Sequence, residues 1–117
     1  MRHAVKSTRI NRDEAHLNAM LKNLVTSVVL YEKVKTTRAK AKLVKPLIEK
    51  VITTARKQTP MQAMRTLNSY LPDKNASKKL VNELKDRYKD RPSGFVRLTH
   101  LGFRAGDAAS MVQIELV

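Results

Sequence analysis

The sequence predicts an α+β fold: a two-layer α/β domain of order α-β-α-α-α-β-β, with helices on one face of a small mixed sheet and a basic N-terminal arm. Three observations lead there. Between Asp13 and Tyr88, apolar residues recur at helical spacing in several stretches. After that the period drops to two, in Phe95–Leu101 and again in Met111–Val117. The opening MRHAVKSTRINR carries Arg2, Lys6, Arg9 and Arg12, with His3, but no acid and no apolar pattern that could build a core. The expected division is an extended arm over residues 1–12 and a single domain over residues 13–117.

The first helix is expected from Asp13 to about Tyr31. Leu17, Leu21, Leu24, Val28 and Tyr31 form its stripe, widened by Met20 and Val25. Asn11 suits the N-cap, and Asp13 and Glu14 place negative charge where a helix start favours it. KVKTT (Lys33–Thr37) alternates cations with β-branched residues and reads as a short half-exposed strand. A second helix spans Arg38–Lys57, with Leu43, Val44, Leu47, Ile48, Val51, Ile52 and Ala55 as a broad apolar arc. Pro46 lies inside it and removes one backbone donor, so a kink or break is expected there. A third helix begins at Thr59-Pro60, where proline is well placed, and buries Met61, Met64, Leu67 and Leu71. Pro72 and Asp73 open a fourth, running to about Tyr88 with Leu80, Val81, Leu84 and Tyr88 inward. In the last strand Val112, Ile114 and Leu116 share one face, with Gln113 and Glu115 on the other. GFRAGDAAS between the two last strands reads as a turn in which Gly106 supplies positive φ and Asp107 bonds its own backbone.

Charge narrows the function. The chain has 117 residues, 24 Lys/Arg, 10 Asp/Glu and a formal net charge of +14. Residues 1–57 hold 14 of those cations and only 4 of the acids. A charge this large opposes compaction by self-repulsion and points to a polyanionic partner, nucleic acid before anionic lipid or an acidic protein. No apolar run approaches the roughly 20 residues that span a bilayer, so no membrane partner is expected. Cysteine is absent, which fits a reducing cytoplasm.

KVKTTRAKAKLVK concentrates the signal, with Lys33, Lys35, Arg38, Lys40, Lys42 and Lys45 within thirteen residues. At 100° per residue Arg38, Lys42, Lys45 and Arg56 fall within about 60° of one another, opposite the apolar arc. Lys40 points toward the apolar side and is expected to snorkel. The chain has no tryptophan, and most of its five aromatics fit core positions. Recognition is therefore expected through phosphates and shape, without an aromatic stacking sheet. A basic arm that orders on binding suits the crevices of a folded RNA.

Chemistry of other kinds finds little support. The histidines His3, His16 and His100 fall in different elements, and no thiolate could complete a zinc site. His16, on a helix flank, suits a phosphate partner better than a metal ligand. FRAGDAAS lacks the spacing of a Walker loop. Neither a cofactor nor a small-molecule substrate is expected, and the chain does not read as an enzyme.

Several motifs together resemble a known family. MRHxxxxxxxNR, HxxAMxxN (His16–Asn23), KTT (Lys35–Thr37), AKxxxPxxEKxIT (Ala41–Thr53) and RxxxLGFRxGDAAxMxxIEL (Arg97–Leu116) are similar to the bacterial large-subunit ribosomal protein numbered seventeen. The resemblance implies a two-layer α/β structural protein of the large subunit. It would be cytoplasmic, a monomer within the ribosome, and bound to large-subunit ribosomal RNA on the solvent side near the nascent-chain exit. The neighbouring ribosomal protein numbered thirty-two is an implied contact. Carried onto this chain, Arg2, His3, Lys6, Arg9 and Arg12 become RNA contacts, as do Arg97 and Arg104. Where the family carries basic residues near positions 4, 5 and 17, this chain has Ala4, Val5 and Leu17.

A DNA-binding architectural or regulatory protein is the alternative. It would need a recognition helix and usually a two-fold dimer, and the most basic helix here carries Pro46 at its centre. A nuclease would need convergent carboxylates or histidines, which the sequence lacks.

Overall fold

The computed structural model of the protein describes residues 13–117. The expected arm and the expected Asn11 cap lie outside the described residues. The element order is α1 (Glu14–Tyr31), β1 (Lys33–Thr37), α2 (Arg38–Lys57), α3 (Pro60–Tyr70), α4 (Lys74–Lys79), a π-helical turn (Leu80–Leu84), α5 (Lys85–Arg87), β2 (Val96–Phe103) and β3 (Ser110–Leu116). Asp13, not Asn11, occupies the N-cap position of α1, in extended backbone and without a side-chain capping hydrogen bond, and Glu14 lies in the first turn. Thr59 caps α3 by accepting from the Gln62 amide, with Pro60 at the start of the helix. The Asp73 carboxylate caps α4 by accepting from the Asn75 amide at 2.8 Å.

β3 lies between β1 and β2, and both pairings are antiparallel. The expected mixed sheet is corrected on this point. β2 and β3 form a hairpin, and β1 joins the free edge of β3 while running in the direction of β2. Parallel neighbours never meet.

Helices cover one face. Val112 and Ile114 project from β3 into a core built with Val25, Val28 and Val29 of α1, Val44, Ile48 and Ile52 of α2, and Leu80 and Leu84 of the π-helical turn. Leu98, Leu116 and Val34 pack against it as half-buried neighbours. Phe95, just before β2, is fully buried, with its ring centroid 5.0 Å from that of Tyr88. The Tyr88 hydroxyl donates to the Val117 carbonyl at 2.8 Å, fastening the end of the fourth helical stretch to the strand layer.

α2 continues through Pro46 without a break. Pro46 is exposed, so the hydrogen bond it forfeits, to the Lys42 carbonyl, faces water that can replace it. Two expected core positions are corrected. Tyr31 is 73% exposed, because the second half of α1 buries Val25, Thr26 and Val29 and thereby turns its buried arc away from Tyr31. Met61 is 70% exposed, because the buried line of α3 runs through Ala63 and Leu67 to Leu71 at four-residue spacing, with Met64 only half-buried.

The corner between α1 and β1 is made by Glu32, a non-glycine residue at φ 64°. Its amide donates to the Val28 carbonyl at 2.8 Å, and its carbonyl accepts from the Leu116 amide at 3.0 Å. Its carboxylate pairs with Lys79 at 3.1 Å and with Arg87. The hydrogen bond from Arg87, then that from Lys79, holds the carboxyl below its ordinary value of 4.5 against the opposing effect of burial.

Two outcomes follow from this packing. Phe95→Ala is expected to lower stability by about 3–5 kcal/mol, read from urea unfolding followed by circular dichroism. For Glu32 the folded carboxyl titrates lower than the unfolded one, so stability is complete above about pH 4.5 and lost as pH falls through the folded value. Glu32→Gln should be less stable at neutral pH and should show a shallower loss across that acid interval in the same assay.

Candidate nucleic-acid interface

Strand alternation decides which cations share a surface. The register aligns Lys33 with Glu115 and Glu115 with Arg97; the next row on the same side aligns Lys35, Gln113 and Thr99. Since Val112 and Ile114 face the helices, this row pair occupies the open face of the sheet. Lys33, Lys35 and Arg97 are all exposed there. The one acid among them, Glu115, accepts from Gln113 Nε2 at 2.9 Å and Thr99 Oγ1 at 3.3 Å, with Arg97 at 3.5 Å. The Gln113 hydrogen bond, followed by that from Thr99 and the charges of Arg97 and Lys33, keeps the Glu115 carboxyl below its ordinary range. The acid thus acts as a fixed anchor within a cationic surface.

The hairpin turn is built by Arg104 and Asp107. Arg104 Nε and a terminal nitrogen grip the Asp107 carboxylate at 3.1 and 2.6 Å. The same carboxylate accepts from the Ala109 amide at 3.2 Å, and the Arg104 amide donates to the Ala109 carbonyl at 2.8 Å. Gly106 takes φ 100°, as the turn requires. The Arg104 pair, then the Ala109 amide, pulls Asp107 down to about 2. Arg104 is therefore half-neutralised but rigidly oriented.

The stripe expected along α2 separates into two groups. Arg38 and Lys42 are exposed near the start of the helix and Lys45 is half-buried. Arg56 sits about 27 Å further along, where it is drawn inward. It lies 5.7 Å from the centroid of the Phe95 ring and donates to the carbonyls of Pro92 and Lys89 at 3.4 Å. Lys85 and Lys89 join it around a shallow pocket with Asp86, a grouping the sequence did not suggest. Lys40, expected to snorkel, is half-buried. His16 and His100 are exposed on α1 and β2. Arg2, His3, Lys6, Arg9 and Arg12 lie outside the described residues.

Not every aromatic takes a core position. Phe103 is 78% exposed, since β2 and β3 extend past the last residue of β1 and carry it beyond the packed body. Among the described residues no three histidines or acids gather as a metal site. The 270 Å³ cavity between α2 and α3 is lined by Leu47, Val51, Leu67 and Tyr70 with Lys50 as its single charge, and no acid or histidine enters it.

Asp107→Ala is expected to speed hydrogen exchange of the Ala109 amide while leaving the global unfolding midpoint nearly unchanged, because the turn lies outside the core. Exchange measured by NMR checks this.

The family model described as ribosomal protein L17 matches residues 20–117. Large ribosomal subunit protein bL17 of Desulforudis audaxviator is 46% identical over 109 residues, covering 93% of this chain and 96% of that protein. Its counterpart from Rickettsia africae is 44% identical over 117 residues, covering all of this chain and 85% of that protein. The one from Neorickettsia sennetsu is 41% identical over the full length of both. With the helices, the antiparallel sheet and its basic open face in place, this match over most of the chain shows that it belongs to the ribosomal protein L17 family.

Proposed function

We propose that the protein is a structural, non-catalytic constituent of the large ribosomal subunit that binds large-subunit ribosomal RNA through phosphate and shape contacts. The observation that carries the RNA contact is the open face of the sheet, where Lys33, Lys35 and Arg97 stand in adjacent rows around a fully engaged Glu115. Phosphate contacts from exposed cations position a protein without reading sequence. Arg38, Lys42, Lys45, Arg104 and His16 extend the contact, and the arm residues Arg2, His3, Lys6, Arg9 and Arg12 reach further into the RNA. Arg56 contributes mainly by holding the turn at Lys89–Pro92. The same reading puts the protein in the cytoplasm, on the solvent side of the subunit near the nascent-chain exit, beside the ribosomal protein numbered thirty-two.

Sedimentation of a cell lysate through sucrose gradients at moderate and high salt tests the assignment. Co-migration with large subunits that survives high salt is the expected result. Recovery with the nucleoid would favour the DNA-binding alternative, and recovery at the top of the gradient would remove the ribosomal reading. The contact face is tested by replacing Lys33, Lys35 and Arg97 with glutamine. Binding to extracted large-subunit RNA should weaken, and the slope of log K against log salt should shrink by about one for each phosphate no longer neutralised. Stability should shift by no more than about 0.5 kcal/mol for each exposed residue replaced.

A further inference from the structure

We propose that the tip of the β2–β3 hairpin is a stacking element for RNA, with the Phe103 ring taking the face of an unpaired base. This rests on the RNA-binding reading above and names a contact that phosphate recognition alone does not supply.

The position of the ring is set by one extra residue. Between His100 and Gly102 the register slips, so that Gly102 opposes Met111 and Phe103 opposes Ser110. Without this bulge, alternation would put Phe103 on the open face with Arg97 and Thr99. With it, Phe103 joins the side that carries Val112 and Ile114. Gly102 at φ 100° accommodates the distortion. Val112 and Ile114 are 2% and 0% exposed, whereas Phe103, next along that side, is 78% exposed. The apolar line of the sheet thus runs out past the helices and ends in a ring that no described residue of this chain covers.

The support beneath the ring is rigid and its surroundings are cationic. Arg104, its neighbour, is fixed by Asp107, and the Ala108 amide donates back to the Arg104 carbonyl at 2.9 Å. An aromatic side chain on such a frame loses little freedom when a base settles on it. Asp107 is the single acid between Val96 and Ser110, and Arg104 already neutralises it. Thr37 pairs with Met111, opposite Gly102, and Arg38 follows Thr37 directly. The basic start of α2 therefore begins one row from the ring, and phosphates flanking a stacked base would meet Arg38 and Lys42.

The patch suits a base better than a protein. Beyond Phe103 it offers Leu101, 45% exposed, and then glycine and alanine on a two-stranded ribbon. A specific protein contact covers about 800 Å² on each partner around an apolar centre. A lone ring between cations is the arrangement that single-stranded nucleic acid stacks upon.

The chain contains no tryptophan, so Phe103→Trp installs a sole indole at the tip. Titrating the full-length variant with extracted large-subunit RNA should quench its fluorescence. Tyr31→Trp, exposed at the opposite end of the sheet, should be quenched much less. Phe103→Ala should lower RNA affinity by about 5- to 150-fold at fixed salt, with the salt slope unchanged because every phosphate contact is kept. Phe103→Tyr should restore binding. An unquenched indole together with wild-type affinity of Phe103→Ala would overturn the proposal, as would a fall in affinity that comes wholly through the salt slope. Failure of the unaltered protein to bind the RNA would instead refute the RNA-binding reading itself, so the two failures are distinguishable.

Discussion

The corner at Glu32 is the constraint on which the rest of the molecule depends. Five elements meet there: α1 ends on its amide, β1 begins after it, β3 donates to its carbonyl, and α4 and α5 send Lys79 and Arg87 to its carboxylate. A glutamate in left-handed backbone costs about 1–2 kcal/mol, and it is held there by two backbone hydrogen bonds and by the Lys79 and Arg87 ion pairs. More follows from the carbonyl than from the charges. The bond from Leu116 extends the β1–β3 ladder by one position and locks its register. A slip of a single residue would turn Lys33 and Lys35 into the core and Val34 out of it. The cationic face exists because that register is held.

The chain's large positive charge therefore divides into working parts. Lys79 and Arg87 close the Glu32 corner, and Arg56 clamps the turn before Phe95. These cations stabilise the fold and leave little of their charge for a partner. Lys33, Lys35, Arg38, Lys42 and Arg97 stand exposed, with Arg97 only loosely tied to Glu115. Net charge alone does not divide these two groups; only the second is left by folding with its charge open to a partner.

Sequence patterns located the elements well where a strong local signal had no rival. The bounds of β1 and α2 agree with the expected ones because KVKTT alternates cleanly and the apolar arc of α2 repeats through five turns. The turn within GFRAGDAAS was legible through Gly106 and Asp107, which take the positive φ and the local backbone bond expected of them, whereas the left-handed backbone of Ala108, at φ 54°, carried no signal in the sequence. What could not be read depended on partners distant in the chain. Tyr31 and Met61 sit at apolar spacing but lose the competition for the core to Val29 and Ala63. Phe103 falls in the expected GFRAGDAAS turn by its sequence, and only the bulge and the short β1 place it on a strand beyond the packed body. The open sheet face needed the β1-β3-β2 order, without which nothing in the chain shows that Lys33 and Arg97, separated by most of the domain, flank the same glutamate.

The central position of β3 also governs how the protein is made. Both β1 and β2 are synthesised before the strand that joins them, and β1 waits through more than 70 residues for its partner. Helices α1 to α5 can collapse early on local contacts, but their sheet-facing side stays uncovered meanwhile. Closure of the sheet has to await β3, whose pairing with β1 is long-range and whose Val112 and Ile114 complete the core. The paired rows of cations on the open face therefore cannot form until β3 has been made, whatever the helices do before it.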